Sequence, residues 1–212
     1  MEMETSAKAN TVPQVVKWMH EQVVLAHLDL AEFKRIYIEN DEDLDLLNTA
    51  GQIFFVRLYH LYRWSFIQAL GRVIYPKKSN VKGGPRANAS LDHLVQESIG
   101  LPFEDRIRLL KREADGIWEP MKLIRDRMIA HSDLELALSE TTSKMRAETV
   151  DIECIFTLAG ECIKLFYLHY ENGCKVSYGD TLHPPGAALM LKYLKIGKEA
   201  HDAEELALYG PL

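Results

Sequence analysis

Apolar residues in this chain recur by threes and fours. From Phe55 the series Tyr59, Tyr62, Phe66, Leu70 and Val73 keeps to steps of three and four, which puts all six on one stripe of an α-helix. Convincing alternation of apolar and polar residues, the mark of a half-buried strand, is missing; at most Lys175–Tyr178 offers a brief pairing segment. A chain with this periodicity buries its apolar surface by packing helix on helix.

The punctuation divides the helices. Thr11 is a candidate cap for a first helix with Pro13 in its early turn, and Val15, Met19, Val23 and Leu30 carry it to about Ile38. The polar run Asn40-Asp41-Glu42-Asp43 starts a second, long helix from about Leu44 to Ile74, closed by Pro76. Residues 76–88 read as an exposed loop, because Gly83-Gly84-Pro85 suits neither a helix nor a central strand. Ser90 begins a short helix to about Glu97. Pro102 opens another, with Ile107, Leu110, Ala114 and Ile117 on one face; Pro120 breaks or restarts it, and the apolar face continues to about Ala130. After a polar stretch, Ser132–Arg146, a long helix starts at Thr149 or Asp151, carries a stripe of Ile155, Leu158, Cys162, Leu165 and Leu168, and ends at Asn172-Gly173. A last helical run goes from Ala187 to about Leu206. The expected fold is all-α: an antiparallel helical bundle of four to five principal helices with short accessory helices, in a single domain 1–212, with 1–10 and 207–212 as flexible tails.

Composition narrows the function. Of 212 residues, 47% are apolar and 26% charged, which excludes a chain disordered throughout and a disulfide-rich miniprotein. The net charge of −6 provides no whole-molecule attraction for nucleic acid, so any such binding needs a local basic patch. The most basic segment is Arg72–Leu91, where Arg72, Lys77, Lys78, Lys82 and Arg86 stand without an acidic residue. Lys77, Lys78, Lys82 and Arg86 are therefore the candidate phosphate contacts of an RNA-binding flap; a merely solubilising loop is the alternative. The apolar runs are too short for a membrane span. No apolar signal-peptide core appears near Met1, and three cysteines, Cys154, Cys162 and Cys174, make no disulfide framework. A cytoplasmic setting is expected.

Familiar catalytic devices are absent: no Walker loop, no Gly-x-Gly-x-x-Gly, no Cys-x-x-Cys and no His-Glu-x-x-His. No metal site and no cofactor are expected. His20, His27, His60 and His169 each lack a ligand partner one helical turn on, and read as structural. Trp18, Trp64 and Trp118 read as core or interface anchors. One stretch offers chemistry: Ile124-Arg125-Asp126-Arg127-Met128-Ile129-Ala130-His131-Ser132-Asp133. Arg125 can hold a phosphate with a planar, permanently charged fork. His131 titrates near neutral pH and can move protons. The pair suits attack of a ribose 2′-hydroxyl on the adjacent phosphate.

This segment resembles the Arg-x4–6-His signature of the HEPN superfamily, the helical "higher eukaryotes and prokaryotes nucleotide-binding" domains. The form Arg-Asp-Arg-Met-Ile-Ala-His-Ser-Asp is similar to the abortive-infection branch, and the helical layout agrees over most of residues 12–175. The resemblance implies a metal-independent endoribonuclease of prokaryotic defence or toxin–antitoxin type, working as a homodimer with two motifs in one cleft. It implies that Arg125 binds phosphate, that His131 handles protons and that Asp126 takes the polar position, where asparagine is commoner. An antitoxin protein is a possible partner. An inactive HEPN-like module that binds RNA, nucleotide or protein is the competing reading. Spacing alone does not single out this pair, since Arg86 and His93 stand at a similar interval; the context does. In a continuous helix, residues six apart point about 120° away from each other, whereas Arg127 and His131, four apart, share a face. Either the helix distorts before His131, or the arginine comes from a second subunit, or Arg127 shares the work.

Overall fold

The computed structural model describes residues 12–74, 78–81, 84–123, 125–126, 148–171 and 185–209. It is all-α, with six helices and one small hairpin among those residues: α1 (Val12–Tyr37), α2 (Asp41–Ile74), β1 (Lys78–Val81), β2 (Gly84–Ala87), α3 (Leu91–Glu97), α4 (Glu104–Leu123), α5 (Thr149–Tyr170) and α6 (Pro185–Tyr209). Five of the helices are long, as the periodicity requires. The candidate cap Thr11, the tail 1–10 and the brief strand Lys175–Tyr178 lie outside the described residues. α6 stays helical to Tyr209, into the stretch expected as a tail.

Local chemistry explains the boundaries. Asn40 Oδ1 accepts a hydrogen bond from the backbone N–H of Glu42 at 3.0 Å, so the polar run caps α2 as its composition suggests. Three acidic side chains, Asp41, Glu42 and Asp43, follow in the first turn, where they meet the positive end of the helix. α2 kinks at Gly51, whose extended backbone separates two helical segments. Pro120 does not end α4: the helix runs through it to Leu123.

The described residues fall into two compact units, one formed by the chain up to His27 and Trp64–Asp180, the other by Leu28–Arg63 and the chain from Thr181 on. In the first, α4 packs along α5, and α3 lies against both. Ile107, Leu110, Ala114, Trp118 and Met121 of α4 are buried, as are Ile152, Ile155, Phe156, Ala159, Ile163 and Phe166 of α5. In the second unit Ile36, Leu47, Phe55, Ala187 and Leu191 form the core, with Tyr37, Leu58, Tyr62 and Leu194 packed around it. There Glu32 Oε2 accepts the backbone N–H of Ala187 at 2.5 Å, filling a donor that the first turn of α6 leaves open. A Cβ on Gly186 would stand 2.8 Å from Glu32 Oε1, so the missing side chain is what admits the carboxylate.

The stretch expected as a plain loop holds a two-stranded antiparallel hairpin, with Lys78 opposite Ala87, Ser79 opposite Arg86 and Asn80 opposite Pro85. Both strands of a lone hairpin are edge strands. The objection to Gly and Pro in a strand applies to central ones, which is why the sequence reading missed it. Among the described residues, no helix is long and apolar enough to cross a membrane.

Candidate functional site

The helix that leads into the motif is fixed at its start and along its length. Gly100, with φ at +82°, turns the chain so that its N–H donates to Glu104 Oε2 at 2.8 Å; Arg108 Nη2 donates to Glu104 Oε1 at 2.7 Å. The Gly100 bond is the chief reason that the Glu104 carboxyl titrates below its ordinary range, with Arg108 adding to it. One turn further on, Lys111 Nζ lies 2.9 Å from Asp92 of α3 and 2.6 Å from Asp115. Burial works to lower the pKa of Lys111. The hydrogen bonds and charges of Asp115 and Asp92 oppose it and prevail, so the ammonium is held charged. These contacts pin α4 to α3 within the first unit.

Beyond Leu123 the backbone at Arg125 and Asp126 takes a wide π-type turn. Such turns are inserted distortions of an α-helix. The turn is seen at Arg125 and Asp126 alone; the remainder of the interval to His131 lies outside the described residues. The Arg125 side chain is 15% exposed and points its Nε/Nη2 edge at its neighbour: Nε donates to Asp126 Oδ1 at 2.6 Å, and Nη2 donates to the same oxygen. Its Cζ stands 5.7 Å from the centroid of the Trp118 ring, a cation–π contact. The arm is thus preset, with the edge that can take a phosphate in two parallel hydrogen bonds already facing an anionic oxygen.

Arg127 and His131 lie outside the described residues, as do Lys77 and Lys82 of the basic segment. Lys78 and Arg86 sit in β1 and β2, at adjacent rungs of the hairpin. The structure therefore brings Arg125 together with Asp126. Two further residues that sequence reasoning did not assign to the site join them: Trp118 and Gly71. Trp118 was legible in principle, because it stands seven residues before Arg125 and shares its helix face. Gly71 was not, since it comes from α2 and nothing local marks it.

Other reactive groups find ordinary roles. His20 meets the edge of Tyr167 at 5.4 Å, His27 the ring of Phe156 at 6.0 Å, and His169 the ring of Phe103 at 5.6 Å. Cys162 is buried on α5, and burial pushes its thiol up to about 12, which removes it as a nucleophile at neutral pH. Cys154 is exposed, and Cys174 lies outside the described residues. No cluster of His, Cys, Asp and Glu among the described residues is arranged to hold a metal ion.

The model of the HEPN family described as AbiU2 matches residues 10–186. The chain belongs to that family. No curated protein and no solved structure matches it. The AbiU2 match takes in α1 to α5, the hairpin and the whole of the Arg125–His131 stretch, and it ends as α6 begins. The abortive-infection character read from Arg-Asp-Arg-Met-Ile-Ala-His-Ser-Asp is thus matched at the level of the family.

Proposed function

We propose that this AbiU2 chain is a metal-independent endoribonuclease of prokaryotic defence or toxin–antitoxin type, acting on RNA in the cytoplasm as a homodimer. The observation that carries the reading is the Arg125 arm: a permanently charged fork, mostly covered, held on one side by an aromatic ring and already engaged with an anionic oxygen. In this reading Arg125 receives the scissile phosphate and offsets the charge that grows on it as the 2′-hydroxyl attacks. His131 takes the 2′-proton. The new oxygen–phosphorus bond closes a 2′,3′-cyclic phosphate as the bond to the 5′-oxygen breaks, and that oxygen leaves with a proton. The step needs an acceptor and a donor, and a second copy of the motif across a two-fold axis supplies the other group. Arg127, Lys77, Lys78, Lys82 and Arg86 hold neighbouring phosphates.

The test is direct. Purified wild-type protein should cut RNA in the presence of EDTA and leave 2′,3′-cyclic ends. His131→Ala should lower the rate at least a hundredfold with the thermal midpoint unchanged. A folded wild-type protein that leaves a diverse RNA pool intact sinks the proposal.

One observation favours a second reading. The Asp126 carboxylate sits on the very edge of Arg125 that a phosphate would use. Incoming RNA must displace it, and a chain in which it stays put binds weakly and turns nothing over. Such a chain is an inactive partner module. Asp126→Asn separates the two: it keeps a polar acceptor and removes the competing charge. RNA affinity should rise about fivefold, equivalent to about 1 kcal/mol for a part-exposed ion pair, with cleavage rising alongside. A loss of cleavage with affinity raised would instead give Asp126 a part in the chemistry itself.

A further inference from the structure

Gly71 and Trp118 form two walls around one arginine side chain. A Cβ on Gly71 would stand 3.0 Å from Arg125 Cδ, 3.3 Å from Arg125 Nη1 and 3.6 Å from Trp118 Cη2. The first two distances are tighter than ordinary van der Waals contact, so the Arg125 arm lies directly on the bare backbone of α2. Trp118 faces the guanidinium and is itself buried, which leaves the indole little freedom to follow if the arm moves. Asp126 closes a further side. Gly116, a second helical glycine in the same unit, makes the contrast: a Cβ there would meet nothing within 4 Å. Nothing in the geometry of α4 requires a glycine at 116, whereas a Cβ at 71 would push the Arg125 arm out of its present position by a few tenths of an ångström.

We infer that Gly71 and Trp118 are positioning residues for Arg125: the absent side chain of one and the indole face of the other fix the guanidinium in the pose that receives a phosphate. The inference rests on Arg125 being the phosphate ligand of the reading above. Its physical content is entropy and aim. An arginine has among the largest rotamer freedoms of any side chain, and an arm frozen at folding does not pay that cost again when an anion arrives. A fork displaced by an ångström also loses its in-plane match to two phosphate oxygens.

The closing experiment reads Arg125 itself, apart from any cleavage. In the full chain, the side-chain Nε–Hε signal of Arg125 is assigned by its disappearance in Arg125→Lys and followed by NMR as inorganic phosphate is added. In wild type the signal should sit away from the bulk arginine position, because the indole ring and Asp126 hold it, and it should move further with phosphate. Gly71→Ala should return the signal towards the bulk and weaken phosphate binding about tenfold. Gly116→Ala, the same chemical change, should leave both unaltered. Trp118→Phe, which keeps an aromatic face, should fall between wild type and Trp118→Leu, and it carries the test should Gly71→Ala fail to fold. In the RNA assay Gly71→Ala should lower kcat/KM at least tenfold with KM raised, whereas Gly116→Ala should change neither.

Phosphate binding in folded Gly71→Ala and Trp118→Leu equal to wild type overturns the inference, as does a wild-type signal that ignores phosphate. Loss of the Arg125 pose with cleavage unaffected also overturns it. If instead wild type cuts no RNA but its phosphate response depends on Gly71 and Trp118, the positioning role stands and the endoribonuclease reading falls.

Discussion

α5 and α6 are nearly the same length, 22 and 25 residues, and the two are held in opposite ways. α5 buries Ile152, Ile155, Phe156, Ala159, Gly160, Cys162, Ile163 and Phe166. α6 buries Ala187 and Leu191 near its start, and from Lys195 to Tyr209 every residue is exposed, a run of about 22 Å at 1.5 Å per residue. Its last four turns rest on local terms: Ala200, Ala203 and Ala207, the Lys198–Asp202 ion pair and the His201–Glu205 contact at 3.6 Å. The AbiU2 match covers α5 and stops where α6 begins. One helix is made by tertiary burial and the other mostly by propensity, although both read as helices in sequence.

The largest way to break this contrast lies in α5. Phe156 is fully buried, and Phe156→Ala should cost about 3–5 kcal/mol, read as a lowered midpoint in urea or heat. Leu191→Ala, at the one buried stretch of α6, should cost less, about 2–3 kcal/mol, because the second unit has the smaller core. A cost for Phe156→Ala below 1 kcal/mol would mean that α5 is not the buried helix described here.

That prediction also marks what sequence could and could not supply. In the six-residue stripe of α2, Phe55, Phe66, Leu70 and Val73 are buried while Tyr59 and Tyr62 are half-buried; on the face expected in α4, Ile107, Leu110 and Ala114 are buried and Ile117 is half-buried. On α5 the expected stripe was turned too far. Ile155 and Cys162 are buried, but Leu158 and Leu165 are only half-buried and Leu168 is exposed, while Ile152, Phe156, Ile163 and Phe166 carry the core. The cause is physical: α5 is apolar around most of its girth, so two faces fit the same period and only the packing of α4 chooses between them. Trp118 was rightly an anchor and is buried, whereas Trp18 and Trp64 are largely exposed. Arg125 and Asp126 could be singled out as candidates because a family motif runs along the chain. Gly71 could not, because a contact between α2 and the motif leaves no periodic trace in either segment.

A smaller effect sharpens the comparison from the other side. Ile196 is half-exposed on α6, and Ile196→Ala should shift stability by less than about 0.5 kcal/mol even though the same loss of atoms in Ile155 of α5 should cost several times more. Amide exchange should agree: the amides of residues 200–209 should exchange far faster than those of 155–166. A cost for Ile196→Ala as large as that for Ile155→Ala would mean that something covers α6 in solution.

The smallest effect concerns the histidines that accompany each helix. His20 of α1 lies against Tyr167 of α5, and burial lowers its pKa, with the charge of Glu21 working against the shift. His201 of α6 is exposed. A histidine whose folded pKa is depressed prefers the neutral ring in the native state. Its contribution to stability is therefore present above the ordinary value of about 6.5 and is lost as pH falls through the folded value, because the unfolded chain then binds the proton more readily. Between pH 7 and pH 5 the wild-type midpoint should drop slightly more than that of His20→Asn, which has no proton to take up. The difference between the two chains isolates His20, since every other titrating group is common to both. An equal pH slope in the two would show that the ring is as well hydrated against α5 as it is in the unfolded chain, and the burial assigned to this face of α5 would have to be reduced.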